Sequence, residues 1–142
     1  MITTRSEDHA YGMTANAFSS VSLDPPLILM CAQGGAEGSQ QIDRNGVFAV
    51  NILAADQEAL SRHFASKDRP RGRDAFRDVA HHTVVTGSPV LDGVVAYLDC
   101  RLHESRTAGD HEIFIGEVLA LDSTDREPLL FHGGAYRLLR SP

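Results

Sequence analysis

"VVAYLDCRLHESRTAGDHEIFIGEVLALDS", residues 94–123, is the stretch of sequence that decides the predicted fold. Its two halves, Val94 to Ser105 and His111 to Ser123, are long, rich in β-branched and aromatic residues, and bounded by turn residues. Such segments are typical of β-strands. The five residues "RTAGD" between them are short enough to close a hairpin. The stretch therefore predicts one long antiparallel hairpin.

Most of the remaining chain also has the pattern of strands. "FAVNIL", from Phe48 to Leu53, is a third strand, and an apolar strand follows the Pro-Pro pair and ends at Cys31. "PLLFHGGAYRLL" predicts a strand, a Gly-Gly break and a short strand. Strands joined by hairpins, with few helices between them, favour an antiparallel barrel over alternating βαβ units.

Two short helices are predicted between the strands. Asp56 to Ser66 has Asp56 as its N-cap and places Leu60 and Phe64 four residues apart on one face. Ser39 to Gly46 has a serine N-cap and ends at a glycine. The sequence therefore predicts a mainly β protein with a few short helices.

Length and charge restrict the class of protein. The 142 residues predict a single domain over 1–142, with a real hydrophobic core. A net charge of -6 argues against binding to nucleic acid, which needs clustered Lys and Arg. The basic stretch Ser66 to Arg73 is expected to be mostly a solvated loop, with one or two charges left for a local anion.

The cysteines and the hydropathy pattern bear on location. Cys31 and Cys100 lie in strand patterns without CxxC spacing, which predicts buried thiols in a reducing compartment. No signal peptide is recognised, and no apolar run reaches the ~20 residues of a membrane span. We expect a cytoplasmic protein that does not bind membranes.

Several common sites find no support in the sequence. There is no GxGxxG for a dinucleotide, no P-loop ending, no GxSxG nucleophile elbow and no HExxH helix, so no metal is expected. "GGAEGS", Gly34 to Ser39, leads into the second helix, whose free N–H groups could hold a phosphate. An ordinary strand-to-helix turn is the alternative interpretation.

The segment "GMTANAFSSVSLDPPLILMC", Gly12 to Cys31, is unusually rich in small and hydroxylated residues. A core segment would use large apolar side chains, because burying each contributes roughly 1.5–3 kcal/mol. Small residues instead leave room beside the backbone and line it with hydrogen-bonding groups. By itself "TANAF" also fits a strand with a tight bend.

Five segments together resemble the short-chain flavin reductase family, the FMN-binding split-barrel proteins that supply reduced flavin to two-component monooxygenases. They follow the family's order and spacing over almost the whole chain. The segments are "GMTANAFSSVSLDPPLILMC", "GVFAVNILAADQEALSRHFAS", "GSPVLDGVVAYLDCRL", "AGDHEIFIGEVL" and "PLLFHGGAYRLL". The resemblance implies an antiparallel split β-barrel.

The resemblance also implies where a flavin, FMN or FAD, would bind. The backbone from Thr14 to Ala17 would follow the pyrimidine edge of the ring, and small side chains there would let the ring approach. The strand ending near Gln33 would lead to the loop that holds the ribityl phosphate. The implied flavin-binding residues are Thr14, Ala15, Asn16, Ala17, Ser19, Ser20, Ala32, Gln33, Gly34, Gly35, Ser39 and Lys67.

Two features depart from the family pattern. Gly38 stands where the family usually has a phosphate-binding threonine, so Ser39 is the candidate substitute, and Lys67 would compensate by its charge. The family usually has a helix and half a strand before the segment that matches "MITT" at Met1. A first strand shortened in this way would expose a barrel edge, which we expect a second copy of the chain to cover.

The nicotinamide side of the site is implied by "GDH" and by the C-terminal Gly-Tyr segment. His111 would orient the nicotinamide amide or a pyrophosphate oxygen, and it is the one residue given a catalytic role, although not as an essential proton donor. The implied nicotinamide-binding residues are His111, His132, Gly134 and Tyr136. Without the resemblance, His111 would be interpreted as an ordinary residue at a strand start.

The function implied is an NAD(P)H:flavin oxidoreductase that uses NADH or NADPH, acts as a homodimer and supplies a separate monooxygenase. The cofactors carry the hydride chemistry, so the protein needs mainly to hold two rings together. Backbone N–H groups of residues 14–17 would stabilise the negative charge of the reduced flavin. A non-catalytic flavin carrier is the main alternative, and a barrel enzyme with deazaflavin or haem is a weaker one.

Overall fold

The computed structural model describes residues 1–5 and 9–139, except the side chain of Arg73, the last residue of the basic stretch. Eleven strands lie in this part of the chain. They are Ile2–Arg5 (β1), Ala10–Met13 (β2), Phe18–Leu23 (β3), Pro26–Gln33 (β4), Val47–Ile52 (β5), His81–His82 (β6), Val90–Leu91 (β7), Ala96–Ala108 (β8), His111–Ser123 (β9), Leu130–His132 (β10) and Ala135–Arg137 (β11).

Two α-helices accompany the strands: Glu37–Asn45 (α1) and Glu58–Ala65 (α2). Short 3₁₀ helices cover Ala55–Gln57 and Gly72–Phe76. The mainly β fold class with a few short helices is confirmed. In the described ranges no helix is long and apolar enough to cross a bilayer.

Seven strands form one antiparallel sheet in the order β2-β1-β5-β8-β9-β4-β3. Its centre is the predicted long hairpin, in which β8 and β9 pair from Ala108 and His111 at the tip to Ala96 and Ser123 at the far end. The hairpin is confirmed, but β8 runs from Ala96 to Ala108 rather than from Val94 to Ser105. The predicted five-residue connection is therefore wrong, because only Gly109 and Asp110 form the turn. The strand, Gly-Gly turn and short strand predicted near the C-terminus are confirmed as the β10–β11 hairpin.

The sheet must curl because its two edge strands are consecutive in the chain. β2 ends at Met13 and β3 begins at Phe18, and five residue steps reach at most about 18 Å. Seven strands laid flat would separate their edges by about 29 Å, given roughly 4.8 Å between neighbours. The short segment 14–17 therefore bridges the open side of a curved sheet, which is the arrangement of a split barrel.

Two hydrophobic clusters hold the elements together. The first fills the inside of the sheet beneath α1 and includes Met30, Ile42, Phe48 and Phe114, all fully buried. Gly116 belongs here because a Cβ at that position would lie 2.5 Å from the Phe48 ring. The second cluster lies under α2 around Phe64, and Leu60 packs against it, as the helical spacing predicted.

Both predicted N-caps are wrong. α1 begins at Glu37, so Ser39 lies inside the helix and is fully buried, while Gly46 ends the helix as predicted. Before α2, the Ala54 N–H donates to the Gln57 side chain at 2.9 Å. The Asp56 carboxylate instead accepts a hydrogen bond from Arg126 at 2.6 Å. The Asp56 side chain therefore pairs with Arg126, which is distant in sequence, and does not cap the helix as the local sequence predicted.

The two cysteines differ in burial. Cys100 is fully buried on β8, and burial, with the nearby charge of Asp99, raises the pKa of its thiol to about 12. A thiol that stays protonated is a poor nucleophile. The prediction of a buried thiol is wrong for Cys31, which is half-buried on β4.

Candidate functional site

A cavity of about 410 Å³ opens beside the segment that bridges the split in the sheet. Its walls come from that segment, the end of β5, α2 and the β10–β11 hairpin. The lining residues are Met1, Thr14, Ala15, Asn16, Asn51, Ile52, Leu53, Ser61, Ala65, Leu129, Phe131 and Tyr136. Small side chains, among them Ala15, Ser61 and Ala65, leave much of this space free.

Hydrogen bonds hold the bridging segment against α2. The Thr14 hydroxyl donates to the backbone carbonyl of Ser61 at 2.7 Å, and the Thr14 N–H donates to the Phe64 carbonyl at 3.5 Å. The N–H groups of Ala15, Asn16 and Ala17 have no acceptor among the described residues. The backbone therefore offers several donors next to the cavity.

Asn51 fixes the floor of the cavity. Its side chain is buried, accepts from the Leu91 N–H at 2.8 Å and donates to the Thr3 hydroxyl at 3.0 Å. Both ends of the amide are thus engaged inside the protein. The Asn51 side chain therefore stabilises the wall of the cavity and is not free to bind a ligand.

The β10–β11 hairpin closes one side of the cavity. The Tyr136 hydroxyl donates to Ser61 Oγ at 2.8 Å, and the Arg62 guanidinium lies over the Tyr136 ring, 4.7 Å from its centre. Phe131 packs edge-on against the same ring at 5.1 Å. These contacts join the hairpin to α2.

The structure brings four of the predicted residues to this cavity: Thr14, Ala15 and Asn16 from the flavin group and Tyr136 from the nicotinamide group. Ala17, Ser19 and Ser20 continue from the bridging segment into the edge strand β3 and are exposed. His132 and Gly134 lie at the exposed end of the β10–β11 hairpin. Part of each predicted group therefore lies at this cavity, and the rest of each group lies outside it.

A second group of predicted residues surrounds the tip of the long hairpin. His111 pairs with Gln33 across β9 and β4, and the Gly34 N–H donates to the Asp110 carbonyl at 2.9 Å. His111 Nδ1 and Asp110 Oδ1 are 2.8 Å apart. This hydrogen bond and the charge of His111 lower the pKa of Asp110. His111 thus lies beside the Gln33 to Gly35 loop and does not line the cavity.

The remaining predicted flavin-binding residues are less well placed. Ser39 donates its hydroxyl to the Gln33 carbonyl at 2.9 Å and is fully buried, so this hydroxyl does not face the loop surface as a substitute for threonine. Ala32 is buried in β4, and Lys67 is exposed after α2. A phosphate at this loop would depend on backbone N–H groups and on exposed cations.

The structure explains why a glycine stands at position 38. A Cβ there would lie 2.6 Å from the Tyr11 ring and 2.8 Å from the Met13 sulfur. Arg69 holds Tyr11 in place by donating to its hydroxyl at 3.0 Å. The departure from the usual threonine therefore follows from the close packing of α1 on β2.

Sequence reasoning missed several residues of the cavity, including Ser61, Leu129 and Phe131. The sequence contained a weak indication of Ser61, because a polar residue next to the apolar face of Leu60 and Phe64 could line a site. Leu129 and Phe131 reach the cavity only through tertiary packing. Within the described part of the chain, no cluster of three or more His, Cys, Asp or Glu side chains could hold a metal ion.

Comparison with known proteins identifies the family. Residues 1–140 match the model of the flavin reductase like domain. The chain belongs to the flavin reductase-like family. The resemblance found in the sequence is thereby confirmed.

Individual flavin reductase-like proteins are similar over most of the chain. The NADH-dependent FAD reductase of Streptomyces globisporus is 45% identical over 129 residues, covering 89% of this chain and 70% of the relative. The reductase subunit HsaB of a flavin-dependent monooxygenase from Rhodococcus jostii is 35% identical, covering 96% and 68%.

A solved structure of a flavin reductase has the same fold as this chain. The Streptomyces globisporus NADH:FAD oxidoreductase SgcE6, in complex with NAD and FAD fragments, superposes with a TM-score of 0.89. The two chains are 39% identical, and the match covers 98% of this chain and 83% of that one. The prediction of an enzyme of the NADH-dependent flavin reductase type is supported over that of a carrier.

Proposed function

We propose that the protein transfers a hydride from NADH or NADPH to FMN or FAD in the cavity beside residues 14–16, and then releases the reduced flavin. The main support for this proposal is that the bridging segment and Tyr136 line the same cavity. The N–H groups of this segment that have no acceptor among the described residues can bind a ligand there. The SgcE6 complex with NAD and FAD fragments supports the same pair of ligands.

The cavity suits a flat heteroaromatic ring. Its volume of about 410 Å³ lies in the range of roughly 300–1,000 Å³ that small-molecule sites occupy. Most of the wall is apolar, with Ile52, Leu53 and Leu129 among the lining residues, and the polar groups are concentrated at Thr14 to Asn16 and at Ser61 with Tyr136. Such a wall can enclose a ring and orient its polar edge.

When bound, the flavin and the nicotinamide supply the hydride chemistry themselves. The task of this chain is to hold the two rings together and to stabilise the charge that forms. The N–H groups of Ala15, Asn16 and Ala17 have no acceptor among the described residues, so they can donate to the anionic edge of a reduced flavin. Donors fixed before the reaction stabilise such charge without reorganisation.

His111 is proposed to contact the amide or a pyrophosphate oxygen of the nicotinamide nucleotide. It lies at the tip of the long hairpin, next to the Gln33 to Gly35 loop. Asp110 holds its Nδ1 at 2.8 Å, which leaves Nε2 to interact with a ligand. This position favours a phosphate or pyrophosphate oxygen over the ring that fills the cavity.

Weak retention of the phosphate supports release of the flavin. Ser39, whose hydroxyl is the candidate donor of the phosphate loop, donates its hydrogen bond to the Gln33 carbonyl instead. A charge-assisted hydrogen bond from that side chain is therefore missing, and such bonds are about twice as strong as neutral ones. HsaB is named as the reductase subunit of a flavin-dependent monooxygenase, and we propose that this protein also supplies a separate monooxygenase.

We also propose that the protein is a homodimer and that it acts in the cytoplasm. Large apolar side chains are exposed on the edge strand β3 and on β9, with Leu23 at 95% and Leu121 at 64%. A second copy of the chain would cover such surface and protect the edge. Light scattering should give twice the mass of one chain, and a monomer at micromolar concentration would contradict the proposed dimer.

Filling the cavity tests both the reaction and its place. Ala15→Phe puts a large side chain into the space proposed for the ring, and we expect flavin-dependent NADH oxidation to fall at least tenfold. Ala59→Phe is the matched control, because Ala59 is exposed on α2 and does not line the cavity. Equal activity of the two variants would contradict the site, and a wild-type protein without activity would contradict the function.

A further inference from the structure

Two hydroxyl groups meet at the wall of the cavity, where α2 faces the β10–β11 hairpin. Ser61 Oγ and the Tyr136 hydroxyl oxygen are 2.8 Å apart, and both residues line the cavity. Ser61 is 4% exposed. Its hydroxyl is therefore largely removed from bulk water while facing the space proposed for a ligand.

One hydrogen of this pair remains unused. Two hydroxyls carry two hydrogens, and a bond between them uses one. Tyr136 is the donor in the structure, and the Ser61 hydroxyl has no acceptor among residues 1–5 and 9–139. Thr14 bonds to the backbone carbonyl of Ser61, not to its side chain. A buried donor without an acceptor costs free energy, so the site favours a ligand that supplies an acceptor.

We infer that the Ser61 hydroxyl donates a hydrogen bond to a carbonyl oxygen conjugated to the ring bound in the cavity. This inference rests on the proposed function, since both the pyrimidine half of a flavin and the carboxamide of a nicotinamide carry such a carbonyl. Ser61 is thus a ligand-binding residue that was not among those predicted from the sequence.

Tyr136 is the positioning residue for this donor. Its hydroxyl donates to Ser61 Oγ, and a hydroxyl that accepts one hydrogen bond becomes a better donor in the next. The ring of Tyr136 is itself fixed by Arg62 above it and by Phe131 at its edge. Tyr136 therefore orients the Ser61 hydroxyl so that its own hydrogen is left for a ligand in the cavity.

The test compares Ser61→Ala, Tyr136→Phe and the double variant with the wild type. Dissociation constants for FMN and FAD are measured by titration without NADH, and the KM for NADH is measured at saturating flavin. Tyr97→Phe is the control, because its hydroxyl makes no hydrogen bond in the described ranges and lies outside this cavity.

We expect Ser61→Ala to weaken one ligand by roughly five- to tenfold, as the loss of one hydrogen bond implies. Tyr136→Phe should have a smaller effect because Ser61 keeps its hydrogen, and the double variant should resemble Ser61→Ala. A raised dissociation constant for flavin identifies the flavin carbonyl as the acceptor. A raised KM for NADH with flavin binding unchanged identifies the nicotinamide carboxamide.

Two results would overturn the inference. Ser61→Ala could leave flavin binding and the KM for NADH within twofold of the wild type, in which case no ligand uses the hydroxyl. Alternatively, Ser61→Ala and Tyr136→Phe could cause equal losses, which would mean that their bond only anchors the hairpin. A wild type that oxidises no NADH in the presence of flavin would instead contradict the proposed function.

Discussion

At the scale of single residues, the proposed role of His111 in binding the nucleotide can be tested without disturbing the fold. The residue is exposed at the hairpin tip and is paired with Asp110, so its replacement should leave the fold intact. Removing a ligand contact of this kind should change binding of the nucleotide rather than the rate of the bound complex.

We expect His111→Ala to raise the KM for NADH severalfold, and by more than the KM for flavin. Steady-state kinetics with each substrate varied in turn measures both constants. His103→Ala is the control, because His103 is also exposed on the long hairpin. If His111→Ala changes neither constant more than His103→Ala does, the role of His111 is wrong.

Local patterns predicted some side chains and missed others for physical reasons. Leu60 and Phe64 were placed correctly because helical spacing alone decides that they share a face. The caps at Ser39 and Asp56 were wrong because tertiary partners compete for the same atoms: the Gln33 carbonyl for Ser39 and Arg126, 70 residues away, for Asp56. Side chains with several hydrogen-bond options cannot be assigned from neighbours in sequence.

At the scale of elements, the contact between α1 and β2 lies directly after the loop proposed to hold a phosphate. Gly38 in the first turn of α1 packs directly against Tyr11 and Met13 of β2. Helix propensity alone predicts that Gly38→Ala stabilises the protein by about 1 kcal/mol. The 2.6 Å approach to Tyr11 predicts the opposite, because overpacking costs about 1–3 kcal/mol.

We therefore expect Gly38→Ala to lower the free energy of unfolding, measured by urea denaturation. The same change in a Tyr11→Ala background should cost much less, since the ring that it meets is gone. Gly38→Ala that is as stable as the wild type would show that α1 can move away from β2. The proposed packing of this helix would then be contradicted.

The long elements were predictable, and among the short ones β10 and β11 were recognised because a Gly-Gly break separates them, whereas β1 and β2 were not. β9 was predicted with its observed bounds because thirteen residues of alternating pattern outweigh any local ambiguity. β1 and β2, with four residues each, carry too short a pattern to be recognised. Their pairing with β5 and with each other depends on contacts that form only in the folded sheet.

At the scale of the whole molecule, the order of strands creates the site. Consecutive strands β2 and β3 lie at opposite edges of a seven-stranded sheet, so the segment joining them must cross the opening. The small residues of this segment were visible in the sequence. The sequence did not show that α2 and the C-terminal hairpin would close the same space. No local pattern indicates which distant elements come into contact.

We propose that the protein is a reductase that turns over free flavin, rather than one that keeps a single flavin bound. The most direct test is anaerobic absorbance near 450 nm with catalytic protein, roughly hundredfold excess FMN or FAD, and NADH or NADPH. Rapid bleaching of all the flavin is the predicted result. Bleaching of one equivalent per protein chain would contradict release, and no bleaching despite measurable flavin binding would contradict hydride transfer itself.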